Sequence, residues 1–245
     1  MTFQDHFSAR ATQYAVARPT YPTSLFHSLA DLCDRHDLAW DCGTGNGQAA
    51  LGLVRHFGTV VATDPSEAQL AEATPHTRVV YRERDEQTSG LEAGSADMVT
   101  AAQAAHWFDI ERFYREARRV LRPGGILAIW TYGMSRVSLP IDEVIDRFYW
   151  TTIHAFWPEG RKHVESNYRT IAFPFSSLAF RWPVMEQRWT LRDFGAYVQT
   201  WSAVERYTRT KGTDPVPQLL NILAPMWRDE RRLVRWPMAG HVARL

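Results

Sequence analysis

Leu38-Ala39-Trp40-Asp41-Cys42-Gly43-Thr44-Gly45-Asn46-Gly47 reads as a buried strand running into a turn with three alternating glycines. Gln48 to His56 follows as a helix. Such a strand-to-helix turn lets a ligand approach the backbone closely. The alternation continues outward. Thr59 to Thr63 is a second strand ending in Asp64-Pro65, and Ser66 caps a short helix with Glu67 favourable in its first turn. Thr77 to Arg82 and Met98 to Ala102 read as third and fourth strands. Phe113, Ala117, Val120 and Leu121 fall at helical spacing, and Pro123-Gly124-Gly125 stops that helix before a fifth strand, Ile126 to Tyr132. On the amino-terminal side, two prolines in Arg18-Pro19-Thr20-Tyr21-Pro22 exclude a helix. The next helix has Thr23 or Ser24 as its expected N-cap and Phe26, Leu29, Leu32 and Cys33 on one face. Strands alternating with helices predict a parallel sheet wound on both faces.

After Gly133 the pattern changes. Residues 139–182 read as a helical, aromatic insert over the carboxyl edge of the sheet. Val184 to Leu191 reads as a strand, Asp193 to Tyr207 as one helix, and Leu233 to Leu245 as a last strand.

The glycine spacing narrows the ligand. A dinucleotide loop wants Gly-x-Gly-x-x-Gly, but Gln48 stands where the third glycine would fall. A phosphate loop wants Gly-Lys-Ser/Thr, which is absent. Asp41 brings a carboxylate to the strand tip, which suits a cationic ligand and repels pyrophosphate. Asp64 lies 21 residues after Gly43, at the end of the next strand, where a carboxylate can accept both hydroxyls of a ribose. Either aspartate alone is equally a turn residue; both in register with one glycine loop favour a ligand.

Composition removes other classes. The 245 residues carry 28 Lys+Arg against 27 Asp+Glu, a net charge of +1, which gives no pull toward nucleic acid or anionic membrane. The longest apolar stretch, Gly124 to Met134, is strand-length and too short for a spanning helix, so no membrane partner is expected. The first residues have no basic and apolar signal pattern. With only Cys33 and Cys42, a disulfide framework or a cysteine zinc site is not expected, and the histidines show no metal spacing. A cytoplasmic protein without a metal is the expectation. The arginines of 115–122 read as a solvated helix face, and those of 231–235 as guards before an edge strand.

A resemblance now enters on particular residues. Asp41-x-Gly43-x-Gly45-x-Gly47, Asp64-Pro65-Ser66, Asp85-Glu86, Ala96-Asp97-Met98-Val99 and Arg119-Val120-Leu121-Arg122-Pro123-Gly124-Gly125 occur in that order. Together they resemble the class I S-adenosylmethionine-dependent methyltransferases, type 11 family. Gln103-Ala104-Ala105-His106-Trp107-Phe108-Asp109 resembles a subgroup near the trans-aconitate methyltransferases and their small-molecule relatives, as do Phe7-Ser8-x-x-Ala11-x-x-Tyr14, Arg18-Pro19-x-Tyr21-Pro22 and Thr200-Trp201-Ser202.

The resemblance implies a Rossmann-like, doubly wound α/β fold: a mostly parallel seven-stranded sheet with the aromatic insert after its fifth strand. It implies one domain over 1–245, with a lid segment at 1–22, the cofactor core at 36–132, the insert at 137–182, and carboxyl-terminal strands and helices at 183–245. The implied cofactor is S-adenosylmethionine, leaving as S-adenosylhomocysteine, and the implied partner is a small-molecule acceptor with a carboxylate or another oxygen or nitrogen nucleophile. A monomer or homodimer is expected, without nucleic acid.

Carried over by position, Asp41, Gly43, Thr44, Gly45 and Gly47 hold the methionine end. Asp64 binds the ribose, and Pro65 and Ser66 lie near the adenine. Asp85 or Glu86 meets the adenine amino group; Gln87-Thr88-Ser89-Gly90-Leu91 departs from the family's Leu-Pro-Phe there, and counting back 12 residues from Asp97 favours Asp85. Gln103 and His106 face the sulfonium. Tyr14, Arg18 and His106 are the candidate catalytic residues, with Arg18 able to pair a substrate carboxylate. Tyr21, Trp107, Trp130 and Tyr132 are the candidate acceptor wall, which Trp150, His154, Trp157 and Trp201 could extend. For His106, packing beneath the cofactor and acid–base work both remain open. Two other readings also remain open: a non-catalytic cofactor-binding relative, and an NAD-dependent oxidoreductase.

Overall fold

The computed structural model describes residues 17–228 and 230–245. Five strands are parallel: β1 (Leu38–Cys42), β2 (Thr59–Asp64), β3 (Val79–Glu83), β4 (Ala96–Ala102) and β5 (Leu121–Tyr132). β7 (Arg232–Arg244) runs antiparallel to β5, and β6 (Val184–Trp189) antiparallel to β7. The order across the sheet is β3-β2-β1-β4-β5-β7-β6. It reverses between β1 and β4, and ligands of open α/β sheets bind beyond the carboxyl ends of the strands at such a reversal.

The strands are apolar because helices cover both faces. Alternate residues of β5 divide between two cores: Ile126, Ala128, Trp130 and Tyr132 face one, Leu127 and Ile129 the other. α1 (Thr23–Ala30) and α2 (Gln48–Leu53) supply Leu25, Phe26, Leu29, Ala50 and Leu53 to the first core. α4 (Ile110–Val120) supplies Phe113, Ala117 and Val120 to the second. α3 (Glu67–Ala71) is capped by Ser66, whose Oγ accepts from the Gln69 N–H at 3.3 Å.

Several expectations need correction. α1 is preceded by Pro22 with no side-chain cap, so neither Thr23 nor Ser24 caps it; both lie inside the helix, whose extended Pro22 sets its start. In place of one helix over 193–207 there are two, α7 (Leu191–Gln199) and α8 (Ser202–Lys211). Buried Trp201 turns the corner between them, packed on the rings of Tyr149, Trp157 and Tyr197. The insert is helical only as far as residue 165: α5 (Leu139–Arg147), a π turn (Phe148–Ile153), a 3-10 turn (His154–Phe156) and α6 (Arg161–Glu165). Beyond it the chain runs beside β7, with Leu178 N–H donating to the Val242 carbonyl at 2.7 Å. Phe173 and Phe175 pack on Tyr114 instead of on helical neighbours.

α9 (Val216–Trp227) was not expected, because Pro217 and Pro225 mask an apolar stripe of Val216, Leu219, Leu223 and Trp227. β7 is interior, not an edge; Arg235 pairs there with Glu186 of the true edge strand β6 at 2.8 Å. Nor do the arginines of 115–122 all lie on a solvated helix face, since Arg122 stands at the start of β5. Arg122 reaches buried Asp97 at 2.9 Å, and the other oxygen of that carboxylate accepts the Asp37 and Leu38 N–H groups that start β1.

Candidate functional site

The carboxyl ends of β1, β2, β4 and β5 open at one edge. Gly43, Gly45 and Gly47 all take positive φ there, at 67°, 57° and 83°. At Gly43 the requirement is steric as well as torsional: a Cβ would stand 2.6 Å from the Ala104 Cβ and 2.9 Å from the Phe108 ring. The turn is bound to β2, since Thr44 N–H donates to the Thr63 carbonyl at 2.9 Å.

Asp41 lies fully buried under this turn. Its carboxylate accepts from Thr44 Oγ1 at 2.6 Å and Thr100 Oγ1 at 2.7 Å. Burial raises its pKa to about 6, an effect the two hydroxyls and a backbone contact with Ala50 oppose and Asp64 reinforces. Asp41 therefore pins the loop from below and puts negative potential under it. Asp64 closes the other side: one oxygen accepts from Gly45 N–H at 2.8 Å, the other from Ser66 N–H at 2.9 Å. Pro65 is half-buried beside it. At the end of β3, one oxygen of Asp85 closes its own turn, accepting from Gln87 N–H at 3.0 Å and Thr88 Oγ1 at 2.9 Å. Glu86 accepts from the Asp109 N–H at 3.1 Å, at the start of α4.

Across the reversal, Gln103 takes φ of 55° without being glycine, a strained setting of the kind that collects at functional sites. Its Oε1 accepts from Thr131 Oγ1 and from Tyr132 N–H. His106 follows on a 3-10 turn, with Nδ1 2.9 Å from the Tyr168 hydroxyl. Burial, helped by the charge of Arg161 and by His163, drops its pKa to about 3, so the imidazole is neutral. Tyr168 is buried at φ of 61°, and burial raises its own pKa.

Arg18, Gln103, His106, Trp107, Tyr132, Trp157, Arg161 and Trp201 line a cavity of about 50 Å³. Arg18 donates to the Tyr132 hydroxyl at 3.0 Å and to the Thr200 carbonyl, at the α7–α8 corner, at 3.2 Å. Of the expected acceptor wall, Trp107 and Tyr132 line the cavity and Trp130 does not. Trp130 is wholly buried on the same face of β5, with Tyr21 at 5.7 Å and Phe26 at 6.5 Å, so it is core beneath the wall. Tyr21 packs behind Tyr132. Trp157 and Trp201 do line the cavity, whereas Trp150 is half-exposed against His154. Tyr14 and the motif at 7–14 lie outside the described residues.

Sequence reading missed four groups. Gln48, noticed only as a missing glycine, accepts from Tyr21 N–H at 3.1 Å and donates to the Pro19 carbonyl at 3.2 Å, strapping residues 19–21 to the loop helix. Thr100 and Tyr168 carried no local signal. Arg161 stood alone in the insert.

This fold, with a glycine loop and strand-end acids at the sheet reversal, defines a Rossmann-like α/β enzyme with a ligand edge. Residues 40–129 match the methyltransferase domain of the type 11 family. A methyltransferase assigned in Dictyostelium discoideum is 31% identical over 92% of this chain and 88% of its own. An S-adenosylmethionine-dependent methyltransferase assigned in Saccharomyces cerevisiae is 31% identical over 50% of this chain and 45% of its own. A solved structure from Anaeromyxobacter dehalogenans, assigned as a type II methyltransferase, has a TM-score of 0.86 at 44% identity over 93% of this chain and 97% of its own. The chain belongs to the class I S-adenosylmethionine-dependent methyltransferases. None of its described helices is long and apolar enough to cross a membrane.

Proposed function

We propose that the chain methylates a small molecule at an oxygen or nitrogen atom. S-adenosylmethionine would lie along the Gly43–Gly47 loop and the acceptor in the cavity beside His106. The observation that carries this reading is the adjacency of the two halves: Gly43 packs on Ala104, which stands between Gln103 and His106. The residues fit the cofactor. A turn of three glycines at positive φ, with a buried carboxylate beneath it and a second at the β2 tip, suits a cationic nucleoside.

The bound cofactor supplies the electrophilic methyl group and its own leaving group. The protein's work is then alignment and exclusion of water, which can contribute about 7–11 kcal/mol. Asp64 would accept the ribose hydroxyls, Ser66 and Asp85 or Glu86 would border the adenine, and Gln103 would steady the junction. His106, held neutral, would orient the acceptor or accept a hydrogen bond from it; as so weak a base it suits a nucleophile that arrives already ionised. Arg18, braced by Tyr132 and Thr200, would bind the acceptor.

Calorimetric titration with S-adenosylhomocysteine, with NADH as control, tests the reading. One-site binding of the first alone is expected. Asp64→Ala should weaken it by about 1–3 kcal/mol through the loss of a buried acceptor. Preference for NADH, or unchanged affinity in the variant, would defeat the assignment.

A further inference from the structure

Arg161 is a buttressed cation without a carboxylate of its own. Its Nε donates to the Tyr149 hydroxyl at 2.8 Å, and its guanidinium lies 4.1 Å from the centre of the Trp157 ring and 5.5 Å from that of Tyr149. Glu165 is turned elsewhere, accepting from the same tyrosine hydroxyl at 2.5 Å and meeting His154 at 3.5 Å. Among the described residues no carboxylate pairs with Arg161. Stacking fixes the plane of the guanidinium and leaves its terminal N–H groups for a ligand.

The approach of the insert fixes its position. Gly160 packs so tightly on the His106 carbonyl that a Cβ there would overlap it, and this brings Arg161 to the cavity that Arg18 also lines. The cavity's other lining is neutral: Gln103, half-buried His106, Tyr132, Trp107, Trp157 and Trp201. The charge of Arg161, with that of Arg18 beside it and no acid among the described lining residues, makes it an anion site. Its volume of about 50 Å³ holds roughly three to five water-sized groups, the size of a carboxylate with its adjoining carbons.

The geometry points to Arg161 as a specificity residue that, with Arg18, holds the carboxylate of a small acidic acceptor. The inference rests on the cavity being the acceptor site, and deepens that reading. It accounts for a stacked arginine in the insert that the cofactor side does not use, since planar guanidinium and planar carboxylate pair through two parallel hydrogen bonds.

The test uses the full chain, saturated with S-adenosylhomocysteine and titrated with benzoate, benzamide or inorganic phosphate. Saturable benzoate binding is expected, with benzamide and phosphate much weaker. Arg161→Gln should weaken benzoate at least about tenfold, the loss of one charge-assisted contact, and Arg161→Lys by less. Thermal unfolding of the three proteins shows whether the insert stays folded, and Arg161→Lys keeps the charge if the glutamine variant does not. The inference is overturned if benzoate does not bind the wild type, if benzamide or phosphate binds as well, or if both variants bind benzoate like the wild type. Failure of S-adenosylhomocysteine binding in the wild type would count against the cofactor reading. Loss of it in Arg161→Gln alone would count against this one, by assigning Arg161 to the cofactor.

Discussion

The two halves of this site are built in different ways. The cofactor half is written in consecutive residues: β1, three glycines and α2, with Asp64 closing the loop 19 residues from Gly45. The acceptor half is assembled across the chain. Arg18 meets Tyr132 across 114 residues and Thr200 across 182, and His106 meets Tyr168 across 62. The first half is set by backbone torsions, which sequence encodes locally. The second is set by packing. Substitutions in the first should therefore disable binding of the cofactor outright, and those in the second should alter turnover and leave the cofactor alone.

The largest effect is expected at Gly43. Gly43→Ala must place a Cβ at positive φ, 2.6 Å from that of Ala104. The torsion costs roughly 1–2 kcal/mol and the overpacking about 1–3 more. Calorimetry should show S-adenosylhomocysteine binding lost or weakened by orders of magnitude, with a lower melting temperature. Full affinity would mean that the loop is softer than its torsions imply, and the contrast between the halves would fail.

Asp41→Asn should separate stability from function within the first half. Burial lifts the folded pKa of Asp41 from the ordinary 3.8 to about 6. The folded state thus binds the proton more tightly than the unfolded one. Ionisation costs nothing below about pH 4, its cost grows between the two values, and it is complete above pH 6, at a magnitude on the order of 3 kcal/mol. Asparagine carries no such cost. Thermal melts should show the variant more stable than wild type at pH 7.5, with the gap closing toward pH 4, while its cofactor affinity falls. A variant equally destabilised at both pH values would show that the hydroxyls of Thr44 and Thr100 outweigh the buried charge.

The same contrast explains what the sequence discloses. β1, the glycine turn and the aspartates at 41 and 64 are legible because glycine positions and strand-end acids report backbone geometry directly. Trp130 shows the limit: residue type and register place it beside Tyr132, but only packing reveals that Tyr21 and Phe26 cover it. Tyr168 and Asn167 take positive φ without a glycine to mark the turn. The corner at Trp201 has no proline or glycine either; its cause is a cluster of rings from Tyr149, Trp157 and Tyr197. Arg161 is one arginine among many until Trp157 and Gly160 fix where it stands.

The smallest effect, and the sharpest probe of the acceptor half, is expected at Tyr168. Its hydroxyl holds His106 Nδ1 at 2.9 Å. That contact orients the ring and occupies one of its two nitrogens. Tyr168→Phe removes it and frees the imidazole to turn and to take either tautomer. One neutral hydrogen bond is worth about 1 kcal/mol, so kcat should fall roughly three- to tenfold, with S-adenosylhomocysteine affinity within about twofold of wild type. His106→Ala should lower kcat at least as much and, combined with Tyr168→Phe, should add almost nothing, because both remove the same function. Since the imidazole stays neutral down to about pH 3, the wild type should show no inflection near pH 6.5 in kcat/KM from this residue. Additive losses in the double variant would separate Tyr168 from His106, and a loss of cofactor affinity in either would mean that the two halves share one framework.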